Sequence, residues 1–307
     1  MLSNMNFVVI GYGSMGQNHV RTLRSLGHNV AHVVDPNPSS TPPADINLTA
    51  AIDHVQFDSI DGVIISAPTD AHEKIFEEIV NAGVKNILCE KPALIPLQNI
   101  PRTVNYWVGF VETYNPAFKA CKDLVKSGKI GNIKKVTCTR VGSMPRNISQ
   151  SKNVIVDLAS HDIALVFDLL GRAINLKVAN KKCNTAGVTT SALLTDDNDQ
   201  IMVSCDSSWD VANKRRRIEI YGSEGAIFAD LANQEVAWKP NEFIGQSAFS
   251  FLDNLAWSSK TDSLQLGITK EEPLMKELKS FCESIELKKV CREHVNVSQS
   301  LEYFKDV

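Results

Sequence analysis

A glycine-rich turn followed by a carboxylate constrains the fold of this chain more than any other feature. The apolar run 7–10 leads directly into residues 11–16 (GYGSMG), and a helical stretch follows. A second apolar run, residues 30–34, ends at Asp35. A glycine turn between a strand and a helix, with an acid at the end of the next strand, is typical of a dinucleotide-binding βαβ unit. Glycines also collect in ordinary turns, but here all four elements are present, which favours a cofactor site.

Each glycine of this turn has a separate expected role. Gly11 allows the tight turn, Gly13 lets backbone N–H groups approach a pyrophosphate, and Gly16 lets the helix pack closely on the strand. The phosphates are expected at the helix N-terminus, where unpaired N–H groups favour anions. Asp35 would accept hydrogen bonds from the ribose hydroxyls and repel a 2′-phosphate, and residues 36–40 contain no cation. NAD is therefore expected rather than NADP.

Length, charge and cysteine spacing limit the possible functions. The chain has 307 residues, enough for two domains, and its formal net charge of −3 provides no basic surface for nucleic acid. No apolar stretch approaches the roughly 20 residues that cross a bilayer, and residues 1–6 lack the features of a secretory signal. The seven cysteines form no C-x-x-C pair and no zinc-type pattern. We therefore expect a cytoplasmic protein with no metal site.

Strand and helix patterns alternate after the first βαβ unit. A short helix is expected at residues 44–54, a third strand at 62–66, a fourth at 86–89 and a fifth at 104–111. Alternating units of this length predict a parallel, doubly wound sheet. The residues between Pro92 and the fifth strand are too few, and too often proline, for a crossover helix, so we expect a loop or a single turn there.

The pattern changes beyond residue 112. Alternating apolar and polar runs with few intervening helices predict a largely antiparallel open sheet, with a long helix at residues 154–170 and two closing helices at 271–287 and 297–304. The alternating runs are residues 134–141, 174–181, 188–194, 200–207 and 215–221. The expected fold class is therefore α/β, with an N-terminal Rossmann domain at 1–112 and a C-terminal α/β domain at 113–307.

Three residues outside the glycine turn could carry chemistry. Lys91 lies between Glu90 and Pro92 directly after the fourth strand, and ligands of open α/β sheets gather at the carboxyl ends of strands. Asp157 and His161 are four residues apart in a predicted helix, so the carboxylate can orient the imidazole. The alternatives are a solvated lysine, and a surface histidine beside an acid that the helix dipole favours. Together, the three residues supply a base for an alcohol proton and a cation for the developing alkoxide.

Several motifs together resemble the Gfo/Idh/MocA oxidoreductase family, which includes glucose–fructose oxidoreductase and the inositol dehydrogenases. They occur in the order typical of the family and span about half of the chain. The motifs are residues 11–19, 66–69 with His72, 89–92, 108–116 and 157–163. The resemblance implies a Rossmann domain followed by an α/β domain whose open sheet often forms the oligomer contact, here in a homodimer or homotetramer. It also implies NAD-dependent oxidation of a secondary sugar hydroxyl.

The resemblance assigns roles to individual residues. His161 would exchange the proton with the support of Asp157, and Lys91 would contact the substrate hydroxyl. The residues implied to bind the cofactor are Gly11, Gly13, Ser14, Met15, Gly16, Asp35, Ala67, Pro68, Thr69, His72, Glu90 and Lys91. The residues implied to bind the substrate are Lys91, Asn115, Arg146, Asp157 and His161.

The stretch 141–146, followed by 154–163, resembles the nucleotide-sugar members of the family, the UDP-N-acetylglucosamine 3-dehydrogenases. Arg146 could then pair with a diphosphate, although a loop arginine is more often simply solvated. The chain departs from the family in its shortened segment after Pro92 and in residues 147–153, which lack a glycine often found there. An inositol or free-sugar dehydrogenase is one alternative. A non-catalytic NAD or sugar sensor is another, against which the retained catalytic trio of Lys91, Asp157 and His161 speaks.

Overall fold

The described part of the chain forms two compact units. The computed structural model describes residues 3–93, 95–144, 154–171, 176–183, 189–196, 200–241 and 263–293. The first unit runs to Tyr114 and takes in the described residues from Glu272 onwards, and the second runs from Asn115 to Glu271. None of the helices in these ranges is long and apolar enough to cross a membrane.

The first unit contains a seven-stranded sheet in which all neighbouring strands run parallel. Its strands are β1 (Asn6–Ile10), β2 (Asn29–Val34), β3 (Asn47–Thr49), β4 (Gly62–Ile65), β5 (Asn86–Glu90), β6 (Asn105–Gly109) and β15 (Arg292–Glu293). The strand order is β15-β6-β5-β4-β1-β2-β3. From β1 the chain adds β2 and β3 on one side of the sheet and then β4, β5 and β6 on the other, as in a Rossmann sheet. All residues of β4 and β6 are buried, as expected of parallel strands covered on both faces. The predicted parallel, doubly wound sheet is confirmed.

Helical segments connect these strands. They are α1 (Ser14–Ser25), α2 (His72–Asn81), α5 (Pro273–Glu286) and the short 3-10 helices Ile52–His54, Thr69–Ala71, Leu97–Asn99 and Val111–Tyr114. Between β5 and β6 the described residues contain only the single turn Leu97–Asn99, as the prolines predicted. The helix expected at residues 44–54 is wrong, because β3 and one 3-10 turn occupy that segment.

Helix α5 completes the core of the first unit. Leu278 and Phe281 are fully buried, and the Phe281 ring lies 6.4 Å from the Phe7 ring and 5.7 Å from the Trp107 ring. Strand β15 then pairs with β6. The predicted domain boundaries place this helix in the C-terminal domain, 113–307, whereas in the structure it belongs to the first unit. The spacing of apolar residues shows that a helix is amphipathic but not which sheet it covers. The helix expected at 297–304 lies outside the described residues.

The second unit contains an eight-stranded sheet. Its strands are β7 (Ile133–Ser143), β8 (Leu176–Cys183), β9 (Thr189–Asp196), β10 (Met202–Ser208), β11 (Asp210–Gly222), β12 (Gly225–Asp230), β13 (Glu235–Pro240) and β14 (Leu264–Gln265). Across the order β14-β13-β12-β11-β7-β10-β9-β8, only the β7–β10 pair is parallel. Among the described residues of this unit, the α-helices are α3 (Pro116–Lys126) and α4 (Ser160–Leu170). The predicted, largely antiparallel sheet is confirmed.

The position of α5 in the first core yields a prediction for stability. Truncation of Phe281 to alanine should lower the free energy of unfolding by about 3–5 kcal/mol, because it removes a fully buried ring and leaves a cavity. Leu287→Ala, at an exposed site beyond the same helix, should change it by less than about 0.5 kcal/mol. Urea denaturation measures both values. Equal effects of the two variants would contradict the packing of α5.

Candidate cofactor site and catalytic residues

The glycine turn is held by close backbone contacts. Gly11 adopts a φ of +93°, and a Cβ there would lie 2.5 Å from the backbone nitrogen of Ala67, in the loop after β4. A Cβ at Gly16 would overlap the carbonyl oxygen of Gly11. The Ser66 hydroxyl donates to the same carbonyl at 2.8 Å. Three backbone segments thus meet where a side chain larger than hydrogen could not fit.

In contrast, the space around Gly13 is open. Among the described residues other than Gly13 and its two chain neighbours, no atom lies within 4 Å of the position that a Cβ would take. Gly13 is the N-cap of α1, which Ser14 and Met15 begin, and the first N–H groups of a helix have no partner within it. The first turn of α1, which is fully described, contains no acidic residue. This end of the helix can accept an anion.

Asp35 is anchored at the end of β2, beside this turn. One carboxylate oxygen accepts the N–H of Tyr12 at 2.6 Å, and the other accepts the N–H of Asn37 at 2.8 Å. A carboxylate has about four acceptor positions, so two remain for hydroxyl donors. Asp35 therefore holds the glycine turn in place and can still bind a diol.

The loop after β4 is tied to the chain after β5 by His72. Its Nε2 lies 2.8 Å from the carbonyl oxygen of Ala67, and its Nδ1 lies 3.2 Å from that of Pro92. Burial lowers the pKa of His72, which favours the neutral ring with one N–H group, so one of the two contacts is a hydrogen bond. Because both nitrogens face backbone carbonyls, His72 supports the loop that contains Pro68 and Thr69. Its contact with the cofactor stays a prediction.

Glu90 lies at the end of β5 and is 8% exposed. One of its carboxylate oxygens is 2.8 Å from Nε2 of the fully buried His19, on α1, and the other accepts the N–H of Lys91 at 3.3 Å. A Cβ at Gly109 would lie 3.2 Å from this carboxylate, so the glycine leaves room for it. These two partners lie within the chain, and the expected contact of Glu90 with the cofactor stays a prediction. The link to His19 has no signal in the sequence.

Glu277 is a buried acid that the sequence motifs do not single out. It is 1% exposed, and neither carboxyl oxygen has a hydrogen-bond partner among the described residues. Burial, followed by the charge of Glu90, raises the pKa of Glu277 well above its usual value. The signal in the sequence was an acid three residues after Leu274 and four before Phe281, on the apolar face of a helix.

Lys91 follows β5 directly and is half-buried. Because β5, β4 and β1 are parallel neighbours, Lys91 and the glycine turn lie at the same edge of the sheet. Ligands bind at this carboxyl edge in open α/β sheets. The first unit thus brings together Lys91, the open end of α1 and Asp35.

In the second unit, Asp157 and His161 lie where a helix changes its winding. Residues Ile155–Ala159 form a π-helical turn rather than the expected α-helix, and α4 begins at Ser160. Both Asp157 and His161 are half-buried, and Asp157 accepts a hydrogen bond from the Trp209 indole at 3.3 Å. Single π-turns within helices are frequent at functional sites.

A buried ion pair fixes the start of α4. The Arg140 Nε on β7 lies 2.8 Å from a carboxylate oxygen of Asp162, and both side chains are at most 2% exposed. Removal of one partner of such a pair leaves an uncompensated charge, which costs about 3–5 kcal/mol. Because Asp162 is the neighbour of His161, the pair also fixes the backbone that carries the histidine.

Two residues expected at the substrate remain. Asn115 is 2% exposed and caps α3 through the N–H of Ala117 at 3.0 Å, while its amide donates to the Leu231 carbonyl at 2.9 Å. It therefore supports the scaffold of the second unit. Arg146 lies outside the described residues, so its role stays a prediction. Within those residues, no group of three or more His, Cys, Asp or Glu side chains could hold a metal ion.

Comparisons with known proteins agree with this fold. The model of an oxidoreductase family with an NAD-binding Rossmann fold, GFO_IDH_MocA, matches residues 5–107, and the model of the GFO/IDH/MocA C-terminal domain matches residues 118–228. The chain is 27% identical over 250 residues to the myo-inositol dehydrogenase Hyg17 of Streptomyces leeuwenhoekii, a match covering 73% of this chain and 76% of that protein.

Solved structures share the fold over nearly the whole chain. The UDP-N-acetylglucosamine 3-dehydrogenase GnnA from Acidithiobacillus ferrooxidans superposes with a TM-score of 0.76 at 19% identity, covering 100% of this chain and 97% of that one. A levoglucosan dehydrogenase in complex with NADH gives a TM-score of 0.79 at 18% identity, covering 99% and 95%. At these identities the likeness establishes the fold.

The contrast between Gly11 and Gly13 can be tested. Gly13→Ala should change the free energy of unfolding by no more than about 1 kcal/mol, because its φ of −72° suits alanine and the site is open, while alanine is a poorer N-cap than glycine. It should weaken NADH binding at least about tenfold, because the methyl group enters the space for the phosphates. Gly11→Ala should lower stability by about 1–3 kcal/mol. Urea denaturation and NADH fluorescence measure these effects, and unchanged NADH affinity in Gly13→Ala would refute the phosphate position.

Proposed function

This chain belongs to the Gfo/Idh/MocA family of NAD(P)-dependent oxidoreductases that act on sugar or polyol hydroxyls, and on that basis we propose that it oxidises a secondary hydroxyl of a nucleotide sugar with NAD. The observation that carries this proposal is the edge of the first sheet, where Lys91 shares one side with the open N-terminus of α1 and with Asp35. A dinucleotide lying along that edge would reach from the acid to the lysine.

Asp35 supports NAD over NADP. Its carboxylate is fixed by two backbone N–H groups, so it cannot easily turn away from a ribose bound beside it. A 2′-phosphate would bring a second negative charge close to this carboxylate, and residues 36–40 provide no cation to compensate.

The proposed chemistry divides between Lys91 and the pair in the second unit. His161 accepts the proton of the substrate hydroxyl, with Asp157 favouring the imidazolium that forms. The Lys91 ammonium stabilises the negative charge that develops on the oxygen. Bound NAD supplies the ring that takes up the hydride. The Arg140–Asp162 pair keeps the helix bearing His161 in one position, which limits the loss of orientation during the reaction.

The nucleotide-sugar assignment draws on two supports. Residues 141–146 and 154–163 resemble the nucleotide-sugar branch, and GnnA shares the fold over the whole chain. Arg146 would bind the diphosphate through its two-pronged guanidinium group. The alternative is an inositol or free-sugar dehydrogenase, which the sequence likeness to Hyg17 favours. A non-catalytic sensor would have no need of Lys91, Asp157 and His161 together.

We further propose that copies of the chain associate through the open face of the second sheet. On β11, Ile218 and Ile220 are fully buried, whereas the alternate residues Arg217, Glu219 and Tyr221 point to the other face and remain accessible. A sheet face left this accessible is suited to pairing with a second copy. Light scattering of the purified protein gives the number of subunits.

The choice between substrates is open to direct measurement. UDP-N-acetylglucosamine and myo-inositol, each with NAD+ or NADP+, should be compared for formation of the reduced cofactor and for the rise in melting temperature. The proposal expects both effects with the nucleotide sugar and NAD+. Turnover of myo-inositol alone would establish the alternative, and binding without any turnover would favour the sensor.

Lys91→Ala tests the mechanism. The variant should lower turnover at least about a hundredfold, the usual contribution of a positioned catalytic group, while NADH binds as in the wild type. Lys74→Ala, which removes an exposed lysine of α2, is the matched control and should turn over normally. Wild-type turnover in Lys91→Ala would exclude the proposed role of the ammonium.

A further inference from the structure

Three almost fully buried ionisable side chains, here called the cluster, lie on elements of the first unit that contact one another. The cluster comprises His19 on α1, Glu90 at the end of β5 and Glu277 on α5, which are 0%, 8% and 1% exposed. His19 and Glu90 are joined at 2.8 Å, but Glu277 has no hydrogen-bond partner among the described residues. Buried carboxyl groups without partners are rare, because the charged form is strongly disfavoured.

We propose that Glu277 is a positioning residue that keeps its proton, so that Glu90 remains the single anion of the cluster and holds both His19 and the backbone of Lys91. Glu90 can hold both because its two oxygens are used separately, one by the imidazole and one by the Lys91 N–H. A second negative charge at Glu277 would repel this carboxylate and loosen both contacts. Loss of the His19 contact would loosen α1, whose N-terminus is the proposed phosphate site, and so would weaken NADH binding, whereas loss of the other contact would be felt at Lys91.

Other charges on the neighbouring elements do not replace this role. Helix α5 packs against α1, β6 and the 3-10 helix at 111–114. The ionisable side chains of these elements are His19, Arg21, Arg24, Tyr106, Glu112 and Tyr114. Arg21 pairs with Glu272 and Arg24 with Asp45, both in accessible positions. Both arginines thus pair with other carboxylates. The simplest way for Glu277 to be neutral is therefore to keep its own proton.

An acid that must stay neutral reduces stability at high pH. Burial and the charge of Glu90 raise the folded-state pKa of Glu277, so its contribution to stability is complete below the unfolded-state pKa. The contribution is lost as the pH rises towards the folded-state pKa. Glutamine has the same shape and no proton to lose. Glutamine would therefore avoid the loss of stability at high pH. A residue that is kept despite such a loss of stability is typical of a functional site.

The first measurement uses the free protein. Urea unfolding of wild type and Glu277→Gln should be compared at about pH 5 and about pH 8.5, which lie above the usual pKa of glutamate. Relative to the variant, the wild-type unfolding constant should rise at least about tenfold between the two values. Glu283→Gln, at an exposed site on the same helix, should follow the wild type. If Glu277→Gln fails to fold, or shows no such difference, the proposal is overturned.

The second measurement uses NADH as the probe and depends on the cofactor binding proposed above. From about pH 6 to about pH 9.5, NADH affinity of the wild type should fall at least about threefold more than that of Glu277→Gln, because only the wild type gains the second charge. A purely structural Glu277 would change stability but leave this profile unaltered. Identical profiles would overturn the positioning role alone. Failure of the wild type to bind NADH would overturn the proposed function as well.

Discussion

The close approach of backbone at Gly11 is the constraint on which the first unit depends. The turn after β1, the loop after β4 and the start of α1 come together at a point where a Cβ would collide with Ala67 or with the Gly11 carbonyl. Such contact brings two adjacent strand ends and one helix end within reach of a single ligand. The Ser66 hydroxyl and the Asp35 carboxylate then hold this arrangement by bonding to the turn itself. Because these contacts all lie within the chain, they preorganise the edge of the sheet for a cofactor, which reduces the ordering cost of binding.

Most of the first sheet could be predicted because its determinants are local. Glycine spacing, short apolar runs and the acid at Asp35 each depend on neighbours in sequence, and the parallel sheet follows from their alternation. The helix expected at residues 44–54 failed because its pattern was weak, and packing beside β2 made a strand of residues 47–49. Proline at 96 and 101 correctly excluded a helix between β5 and β6.

The parts that sequence did not supply depend on distant partners. His19 and Glu90 are 71 residues apart, and Glu277 comes from a helix far along the chain, so no local pattern reveals their cluster. Asn115 and His72 were expected at ligands because of their motifs; in the structure their polar atoms also face backbone groups, and their contact with a ligand stays a prediction. The π-turn before His161 likewise has no signature in the spacing of residues, which reads as an ordinary α-helix. The family motifs therefore identify residues near the site, but only their contacts show which of them also support the backbone around it.

The return of α5 to the first unit has a consequence for biosynthesis. The second unit is inserted within the sequence of the first, and Leu278 and Phe281 of α5 fill a core whose buried members outside that helix all precede residue 115. A nascent chain that has left the ribosome only as far as residue 271 holds the described residues of the second unit but lacks α5 and β15 of the first. Domains fold as units during synthesis when their residues are available. The first unit, although most of it is translated earlier, can therefore complete its core only after the second unit has been synthesised.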